Sequence, residues 1–343
     1  MRRVILGKTG LEVSAVGVGG IPIQRVSKAE AVEAIRTALD LGVNFIDTAA
    51  GYTDSQAKIG AAIKGRRDGL VIASKTGQKT KEGMLADIER SRREMSCDVI
   101  DLYQLHGVSA PKDWQRISSA GGALEGLLEA REKGHVAHVG FTSHNLELAI
   151  KLVREPVFET VQFPFNLVTS EPQEKLIPLA RSKGLGFIVM KPLCGGQYDN
   201  ADFAFRFLNG FPDLVPIPGI EQPEQIRQIV EIVNSGATLR GKEKAAADKI
   251  AASLGKLFCR RCGYCQPCPQ GIPITNAMVF EGFLRRFPVA KILDGPGKGV
   301  IETAGLCNEC GQCEDKCPYQ LPIRETVKRA GELAKEFAAK HQR

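Results

Sequence analysis

The most constraining feature of this sequence is a regular alternation of short apolar runs and amphipathic stretches between Val13 and Asn234. Each apolar run is rich in Val, Ile and Phe and is too short to form a helix, which is typical of buried strands. Eight such runs occur, at residues 13–20, 43–49, 70–75, 99–107, 138–143, 159–166, 186–193 and 214–220.

Amphipathic helix patterns fill the spaces between these runs. In the first of them, Ser27 and Glu30 have the spacing of a capping box, and Ala31 and Ile35 share one face. The alternation predicts an α/β protein with a (β/α)8 TIM barrel. A doubly wound open sheet is the alternative, but no G-x-G-x-x-G follows a predicted strand. The other helix patterns occupy residues 81–95, 121–133, 145–154, 172–183 and 222–234.

The composition changes after Gly255. Eight of the ten cysteines lie between residues 259 and 317, and helical patterns occupy residues 274–293 and 322–337. We therefore predict two domains, a barrel over residues 1–240 and a small α-helical ferredoxin-like domain over residues 241–343.

Charge and hydropathy exclude several classes of protein. The net charge of +7 comes from scattered basic residues, so we expect no nucleic-acid surface. No apolar run is long enough to cross a membrane, and Met1 leads into a strand-like segment rather than a signal peptide. These features predict a cytoplasmic protein, in which the ten cysteines serve as metal ligands rather than as disulfides.

Polar residues stand where the second, third and fourth predicted strands end. Asp47 ends the second strand, Lys75 the third and His106 the fourth, while Tyr52 follows Asp47 in the segment "DTAAGY". Each residue alone is compatible with a structural role. In a barrel of this type, however, the carboxyl ends of the strands carry the active site.

This constellation resembles the catalytic tetrad of the aldo-keto reductases. The resemblance covers residues 1 to 235 and includes the segments "LGKTGLEVSAVGVGG", "GVNFIDTAAGY" and "PIPG". It implies reduction of an aldehyde or ketone by hydride from NAD(P)H. Tyr52 would protonate the carbonyl oxygen, with Lys75, held cationic by Asp47, making the phenol more acidic. His106 would orient the carbonyl oxygen.

The resemblance also implies where the nucleotide binds. Three departures from the family pattern leave the choice between NADP and NAD open. Met190 replaces an aromatic residue that stacks on the nicotinamide, and Gly219 and Gln225 replace a Lys and an Arg that clamp the 2′-phosphate. Gln228 and Ile229 replace a Glu-Asn pair near the adenine. The implied cofactor-binding residues are Gly20, Ile21, Asp47, Thr142, Ser143, Gln162, Met190, Lys191, Pro192, Leu193, Gly219 and Gln225.

The cysteines form two runs. The second run has the spacing C-x2-C-x2-C-x3-C-P of bacterial ferredoxins, and the first is one residue shorter before its last cysteine. We expect two [4Fe–4S] clusters, because the cysteine before the proline serves the other cluster in such proteins. One cluster with the remaining cysteines vestigial or bound to zinc, and zinc alone, are the alternatives. The expected ligand sets are Cys259, Cys262, Cys265 and Cys317, and Cys307, Cys310, Cys313 and Cys268.

Three functional hypotheses follow. The first is an oxidoreductase acting on a small carbonyl substrate, whose clusters transfer electrons from a ferredoxin or another carrier, or stabilise the C-terminal domain. Hydride transfer moves two electrons and a cluster moves one, and no flavin motif is present to convert between them. The second hypothesis is a redox-sensing, nucleotide-binding protein with little turnover. The third is an electron-transfer partner that uses the barrel as a scaffold.

Overall fold

The computed structural model describes residues 1–341. Eight strands of this part form one curled, parallel sheet, in which each strand pairs with the next along the chain. The predicted (β/α)8 barrel is confirmed. The short hairpin of β1 (Arg3–Ile5) and β2 (Glu12–Ser14) precedes this sheet. The barrel strands are β3 (Val18–Gly19), β4 (Phe45–Asp47), β5 (Val71–Thr76), β6 (Ile100–Leu105), β7 (Val136–Thr142), β8 (Thr160–Pro164), β9 (Gly186–Met190) and β10 (Val215–Pro216).

Backbone hydrogen bonds between the first and last barrel strands close the sheet. Gly17 N donates to Pro216 O at 2.9 Å, and Gly19 N donates to Pro218 O at 2.7 Å. A Cβ atom at Gly19 would lie 2.8 Å from the carbonyl oxygen of Ile217. Glycine is therefore required at position 19, because any side chain would push the two closing strands apart.

Nine α-helices surround this sheet within the described residues. Ser27 Oγ accepts from Glu30 N, and Glu30 Oε2 accepts from Ser27 N, so the predicted capping box is present. Helix α3 has the same bounds as its sequence pattern. The helices are α1 (Lys28–Asp40), α2 (Ser55–Ile63), α3 (Lys81–Met95), α4 (Pro111–Ser118), α5 (Ala123–Glu132), α6 (Leu146–Leu152), α7 (Leu176–Ser182), α8 (Ala201–Leu208) and α9 (Pro223–Ser235).

The first apolar run, residues 13–20, differs from its prediction as one strand. Its beginning belongs to β2, which pairs with β1, and only β3 joins the barrel. Between the two strands the chain is held by side chains, since Ser14 N donates to Asn44 Oδ1 at 2.6 Å and Ser14 Oγ donates to Val16 O at 2.7 Å. These local bonds turn the chain from the hairpin into the sheet.

The chain forms two compact units that divide between Asp248 and Lys249, inside helix α10 (Gly241–Gly255). The boundary that we predict after residue 240 precedes this helix. The regular elements of the second unit within the described residues are helices, as predicted, whereas residues 258–273 form none. Its helices are α11 (Ile274–Ala277), α12 (Phe280–Arg286), α13 (Val289–Asp294), α14 (Lys298–Thr303), α15 (Gln312–Asp315) and α16 (Ile323–His341).

The stretch at residues 274–293 is not one helix but three short ones. Pro288 stands immediately before α13 and has no N–H to donate, so a helix cannot continue through it from α12. The core of this unit contains Phe280 and Ile292 together with two cysteines, Cys259 and Cys265. No helix among residues 1–341 has the length and apolar character that a membrane crossing requires.

Candidate functional sites

The polar centre of the barrel is an ion pair between Asp47 and Lys75. Asp47 is the last residue of β4 and Lys75 lies near the end of the neighbouring strand β5, so the parallel register brings both side chains to the same end. Lys75 Nζ donates to Asp47 Oδ1 at 2.5 Å and to the carbonyl oxygen of Thr48 at 2.7 Å. The two residues are 1% and 3% exposed. The pair is therefore a buried charged group held by direct hydrogen bonds.

Burial shifts the pKa of both members of this pair. It lowers the pKa of the Lys75 ammonium, because loss of water penalises the charged form, and the Asp47 carboxylate opposes this decrease. Burial raises the pKa of Asp47 for the same reason, while Lys75, Gln162 and Gln104 oppose the rise. Each charge thus depends on the other. Removal of one partner would leave an uncompensated charge in the interior.

Tyr52 and His106 lie at this same end of the sheet. Lys75 Nζ is 5.3 Å from the centre of the Tyr52 ring, within the range of a cation–π contact. The Tyr52 and His106 ring centres are 5.8 Å apart, with the ring planes at 82°. Both residues are half-buried, unlike the ion pair beneath them. The structure therefore brings the four predicted catalytic residues together, with the phenol and imidazole more accessible than the charges.

Gln104 belongs to the same polar group and was not predicted. It lies on β6 and is fully buried, and its Nε2 donates to Gln162 Oε1 at 3.0 Å and to Asp47 Oδ2 at 3.4 Å. Its Oε1 has no hydrogen-bond partner among the described residues. A sequence signal was present, because a glutamine inside an apolar strand two residues before His106 faces the same side as that histidine.

The predicted carboxamide-binding residues lie on the next two strands. Gln162, on β8, joins the polar group through Gln104. Thr142 ends β7, and its Oγ1 accepts from Gly107 N at 2.7 Å. Ser143 Oγ accepts from Asn145 N at 3.1 Å. All three predicted residues are buried, but the two hydroxyls also hold neighbouring loops.

The predicted segment from Met190 to Leu193 follows β9 at the same end of the barrel. Met190 ends the strand, and Lys191 has a φ of 57°, in the left-handed region that residues other than glycine rarely adopt. Asn166 Nδ2 donates to the carbonyl oxygen of Lys191 at 2.8 Å. This hydrogen bond helps to hold the strained turn in place. Pro192 is buried, and Leu193 is half-buried.

The remaining predicted cofactor residues lie in the loops after β3 and β10. Gly20 N donates to Asp47 O at 2.7 Å, and Gly20 is followed by Ile21 before a short 3-10 helix. Gly219 forms a parallel bridge with Gly19. Gln225 Oε1 accepts from the backbone N–H groups of residues 221 and 222, at 2.7 and 3.1 Å. The Gln225 carboxamide therefore caps helix α9, a role that its sequence position did not indicate.

An ion pair connects these two loops. Arg25, in the loop after β3, donates from Nε to Glu221 Oε1 at 2.7 Å. Glu221 follows β10 by five residues and is partly exposed. The guanidinium near the predicted nucleotide-binding loops is therefore engaged by a carboxylate.

In the second unit, one cleft brings together cysteines from both runs. It is partly open to solvent and is also lined by Arg324. Cys268, which precedes Pro269, thus lies beside three cysteines of the second run, as in the expected second ligand set. The lining cysteines are Cys265, Cys268, Cys307, Cys310 and Cys313.

Cys317 lies instead near cysteines of the first run. Burial, together with the proximity of Cys259, Cys262 and Cys317, raises the pKa of the Cys265 thiol to about 12. Burial also raises the pKa of Cys262, with Cys317 contributing. Thiols in these surroundings stay protonated unless a metal replaces the proton. These four sulfur donors therefore suit iron, which binds thiolates.

No three His, Cys, Asp or Glu side chains among residues 1–341 converge on a position for a single metal ion. A [4Fe–4S] cluster distributes its four thiolates over several irons. The other two cysteines are buried in the first unit, where Cys97 Sγ donates to Met95 O and Cys194 Sγ to Asn166 Oδ1, both at 3.4 Å. These contacts are typical of cysteines with a structural role, so these two are not among the metal ligands that we predict from cysteine usage.

Comparison with protein families gives two matches. Residues 15–206, more than half of the chain, match the Aldo/keto reductase family, and residues 258–322 match a 4Fe-4S dicluster domain. The iron–sulfur interpretation of the C-terminal cysteines is thereby confirmed at the level of the domain.

Curated proteins similar to this chain include two enzymes. The chain is 28% identical to aldo-keto reductase YhdN of Bacillus subtilis (strain 168) over 215 residues, covering 57% of this chain and 63% of that protein. It is 30% identical to L-galactose dehydrogenase of Arabidopsis thaliana over 211 residues, covering 56% and 65%. Both matches span less than two thirds of the relative.

Solved structures share the barrel fold. An aldo-keto reductase from Klebsiella pneumoniae in complex with NADPH is similar with a TM-score of 0.62 and 23% identity, covering 73% of this chain and 95% of that one. The holo form of aldo-keto reductase AKR11C1 from Bacillus halodurans has a TM-score of 0.62 and 22% identity, covering 73% and 96%. At 22–23% sequence identity, these matches show only that the fold is shared.

Proposed function

The chain belongs to the aldo/keto reductase family and carries a 4Fe-4S dicluster domain, and from that premise we propose that it reduces a small aldehyde or ketone with NAD(P)H. The observation that carries this proposal is the buried ion pair of Asp47 and Lys75, with the half-buried Tyr52 and His106 above it. This arrangement offers a proton donor, a charge that stabilises its conjugate base, and a second polar group for the carbonyl oxygen.

The chain's own residues supply the acid–base chemistry. The Tyr52 hydroxyl donates its proton to the carbonyl oxygen, and the Lys75 ammonium stabilises the negative charge that remains on the phenol oxygen. Asp47 holds the ammonium in place through its 2.5 Å hydrogen bond. His106 directs an N–H to the carbonyl oxygen. The nicotinamide, when bound, supplies the hydride.

The polar side chains at the strand ends fit a nicotinamide. Gln162 and Ser143 are buried polar residues on neighbouring parts of the mouth, and the fully buried Gln104 offers an unpartnered amide oxygen beneath them. We propose that Thr142, Ser143 and Gln162 hold the carboxamide group. The complex of the Klebsiella pneumoniae relative with NADPH supports a nicotinamide cofactor of this type.

The preference for NADP or NAD depends on the loops after β3 and β10. Gly219 carries no side chain, the Gln225 carboxamide caps a helix, and Arg25 is paired with Glu221. We therefore propose that both nucleotides bind. Titration of the anaerobically purified protein with NADPH and NADH, followed by nucleotide fluorescence, compares the two affinities directly.

We further propose that each of the two ligand sets holds one [4Fe–4S] cluster. The first set is Cys259, Cys262, Cys265 and Cys317, and the second is Cys268, Cys307, Cys310 and Cys313. All ten cysteines are unbridged, which suits the reducing cytoplasm. When bound, the clusters would supply one-electron transfer to or from an external carrier such as a ferredoxin.

Substitution of Tyr52 tests the catalytic proposal. Tyr52→Phe removes only the hydroxyl, so carbonyl reduction should fall by about 10² or more, while nucleotide affinity is retained. The rate is measured as consumption of NAD(P)H with a panel of simple aldehydes under anaerobic conditions.

Tyr103→Phe is the matched control. Its hydroxyl is 3.3 Å from Ser91 Oγ on α3, outside the polar group, so its loss should leave the turnover of aldehydes nearly unchanged. Undiminished activity of Tyr52→Phe would refute the assignment. Nucleotide binding by the wild-type protein without turnover of any aldehyde would favour the redox-sensing alternative.

A further inference from the structure

The two cysteine runs differ in the charges that accompany them. Residues 258–274 contain Arg260 and Arg261 and no Asp or Glu, whereas residues 307–317 contain three acids and one lysine. Three of the four ligands of each set therefore come from runs of opposite charge. The charge around a cluster is one of the factors that set its reduction potential.

Arg260 is a buried charged residue, 8% exposed. Its Nη1 donates to Gly255 O at 2.8 Å and to Phe258 O at 3.1 Å, which fixes the guanidinium beside its own backbone. The guanidinium carbon lies 3.9 Å from the centre of the Tyr319 ring, a close cation–π contact.

This contact links two residues that flank the first and last ligands of the first set. Arg260 immediately follows Cys259, and Tyr319 follows Cys317 by two residues. The stacked pair therefore joins the segment that begins the set to the segment that completes it. A backbone hydrogen bond also favours negative charge on this ligand set, because Arg261 N donates to Cys259 Sγ at 3.4 Å.

The second ligand set has a different environment. Its nearby arginine, Arg324, lines the cleft but donates from Nε to Glu314 Oε2 at 2.8 Å, and its side chain is 47% exposed. Cys310 is itself exposed. The positive charge beside this set is thus neutralised by a carboxylate and screened by water.

Two opposing effects act on a cluster in the first set. Reduction adds one negative charge. Burial disfavours this added charge because water is excluded, whereas a nearby cation favours it. Charges interact several times more strongly in the interior than at the surface. A fixed, buried guanidinium therefore opposes the burial effect, whereas Arg324 is paired with Glu314 and about half exposed to solvent.

We propose that Arg260 raises the reduction potential of the cluster held by the first set above that of the cluster held by the second set. This inference rests on the two clusters of the proposed function. A reduced one-electron carrier protein gives one electron to the exposed second cluster. That cluster is reoxidised as the first cluster is reduced by the same electron. The sets are adjacent, since Cys265 of the first set also lines the cleft of the second.

A potentiometric titration of the full-length, anaerobically purified holoprotein tests this inference, with each reduced cluster detected by electron paramagnetic resonance. Wild-type protein should show two one-electron transitions. The transition at higher potential should be the one lost in Cys262→Ser, which removes a ligand of the first set. If Cys262→Ser instead removes the transition at lower potential, the inferred direction of transfer is wrong.

Arg260→Gln should shift the first-set transition to lower potential by about a tenfold change in its reduction equilibrium, which is 59 mV for one electron. The second-set transition should not move. Arg260→Lys, which keeps the charge, should recover part of the shift, and Arg324→Gln is the matched control that should leave the first-set transition in place. Unchanged transitions in Arg260→Gln, or equal shifts of both, would overturn the inference.

Iron content separates this inference from the proposed function. A wild-type protein that binds no iron refutes the clusters themselves, whereas full iron with no shift in Arg260→Gln refutes only the role of Arg260. If Arg260→Gln fails to fold, Tyr319→Leu gives a second measurement. It removes the stacked ring and loosens the guanidinium, so it should lower the same transition by a smaller amount.

Discussion

In the barrel, the polar site is assembled from residues far apart in sequence, whereas in the second unit all eight expected cluster ligands come from two short runs. Asp47 and Lys75 are 28 residues apart and meet because β4 and β5 are hydrogen-bonded neighbours. The backbone alone brings them together. The cysteine runs place three sulfurs close together, but the fourth of each set must come from the other run.

The two regions also differ in what holds their charges. In the barrel, the charges of Lys75 and Asp47 compensate each other, so this ion pair needs no added group to balance it. In the second unit, burial raises the pKa of Cys265 to about 12. This thiol therefore stays protonated at neutral pH until iron replaces the proton. We therefore expect the polar site of the barrel to form on folding and the cysteine sites to form when metal binds.

Removal of iron should separate the two regions most strongly. Oxidative loss of the clusters followed by chelation should abolish protection from hydrogen exchange in residues 258–322, because the buried thiols lose their shared ligand. Protection of the barrel strands β4 to β6 should be retained, since the ion pair needs no metal. Mass spectrometry of exchanged peptides measures both.

Equal loss of protection in both regions would contradict this comparison. Reconstitution with iron and sulfide is the control, and it should restore protection and about eight irons per chain.

Lys75→Met should have the next largest effect. It leaves the Asp47 carboxylate buried without its partner, so we expect the free energy of unfolding to fall by about 3–5 kcal/mol. Carbonyl reduction should fall by about 10² or more, since the tetrad loses its ammonium. Urea unfolding and steady-state rates measure the two effects.

Two further variants distinguish stability from catalysis. Asp47→Asn combined with Lys75→Met should recover part of the lost stability but none of the activity. Lys58→Met removes another buried lysine, which donates to Ile23 O and Val26 O and pairs with Asp54. It should lose stability while retaining much more activity than Lys75→Met. Equal activities of the two single variants would contradict the proposed role.

The smallest expected effect is a shift in pH dependence. The ammonium form of Lys75 exists below its pKa, which burial already lowers and Asp47 holds up. Asp47→Asn removes this support, so the pKa of Lys75 falls further and the residual rate of reduction should begin to decline at a lower pH than in the wild type. The measurement is kcat/KM against pH.

Asp54→Asn serves as the control for this shift. Asp54 pairs with Lys58 and its side chain is 56% exposed, so its neutralisation should leave the profile unchanged. A profile of Asp47→Asn that coincides with the wild type, or moves to higher pH, would show that Lys75 does not set the alkaline limit.

Much of the barrel was predictable because its strands and helices follow local patterns. Each of the eight apolar runs overlaps a barrel strand, and the Ser27 cap and the bounds of α3 agree with their patterns. Helices α2, α4 and α8 were not predicted. Helix α2 is buried over most of its length, so it lacks the polar face that marks an amphipathic helix.

The candidate sites were predictable to different degrees. Asp47 and Lys75 stand at strand ends, where the sequence indicates both the residue type and its position in the barrel. Gln104 was missed, because a single glutamine in a strand does not indicate a functional role until β6 is known to lie beside the ion pair. The capping role of Gln225 likewise depends on where helix α9 begins.

The sequence by itself determined the alternation of strands and helices, the identity of the four candidate catalytic residues, and the spacing of the cysteines, because these depend on periodicity and on neighbours within a few residues. Only the tertiary structure decided which charges are buried, how Gln104 joins the ion pair, and how Arg260 stacks on Tyr319 beside the first ligand set. The physical reason is that desolvation and charge interaction depend on groups that fold together from distant parts of the chain.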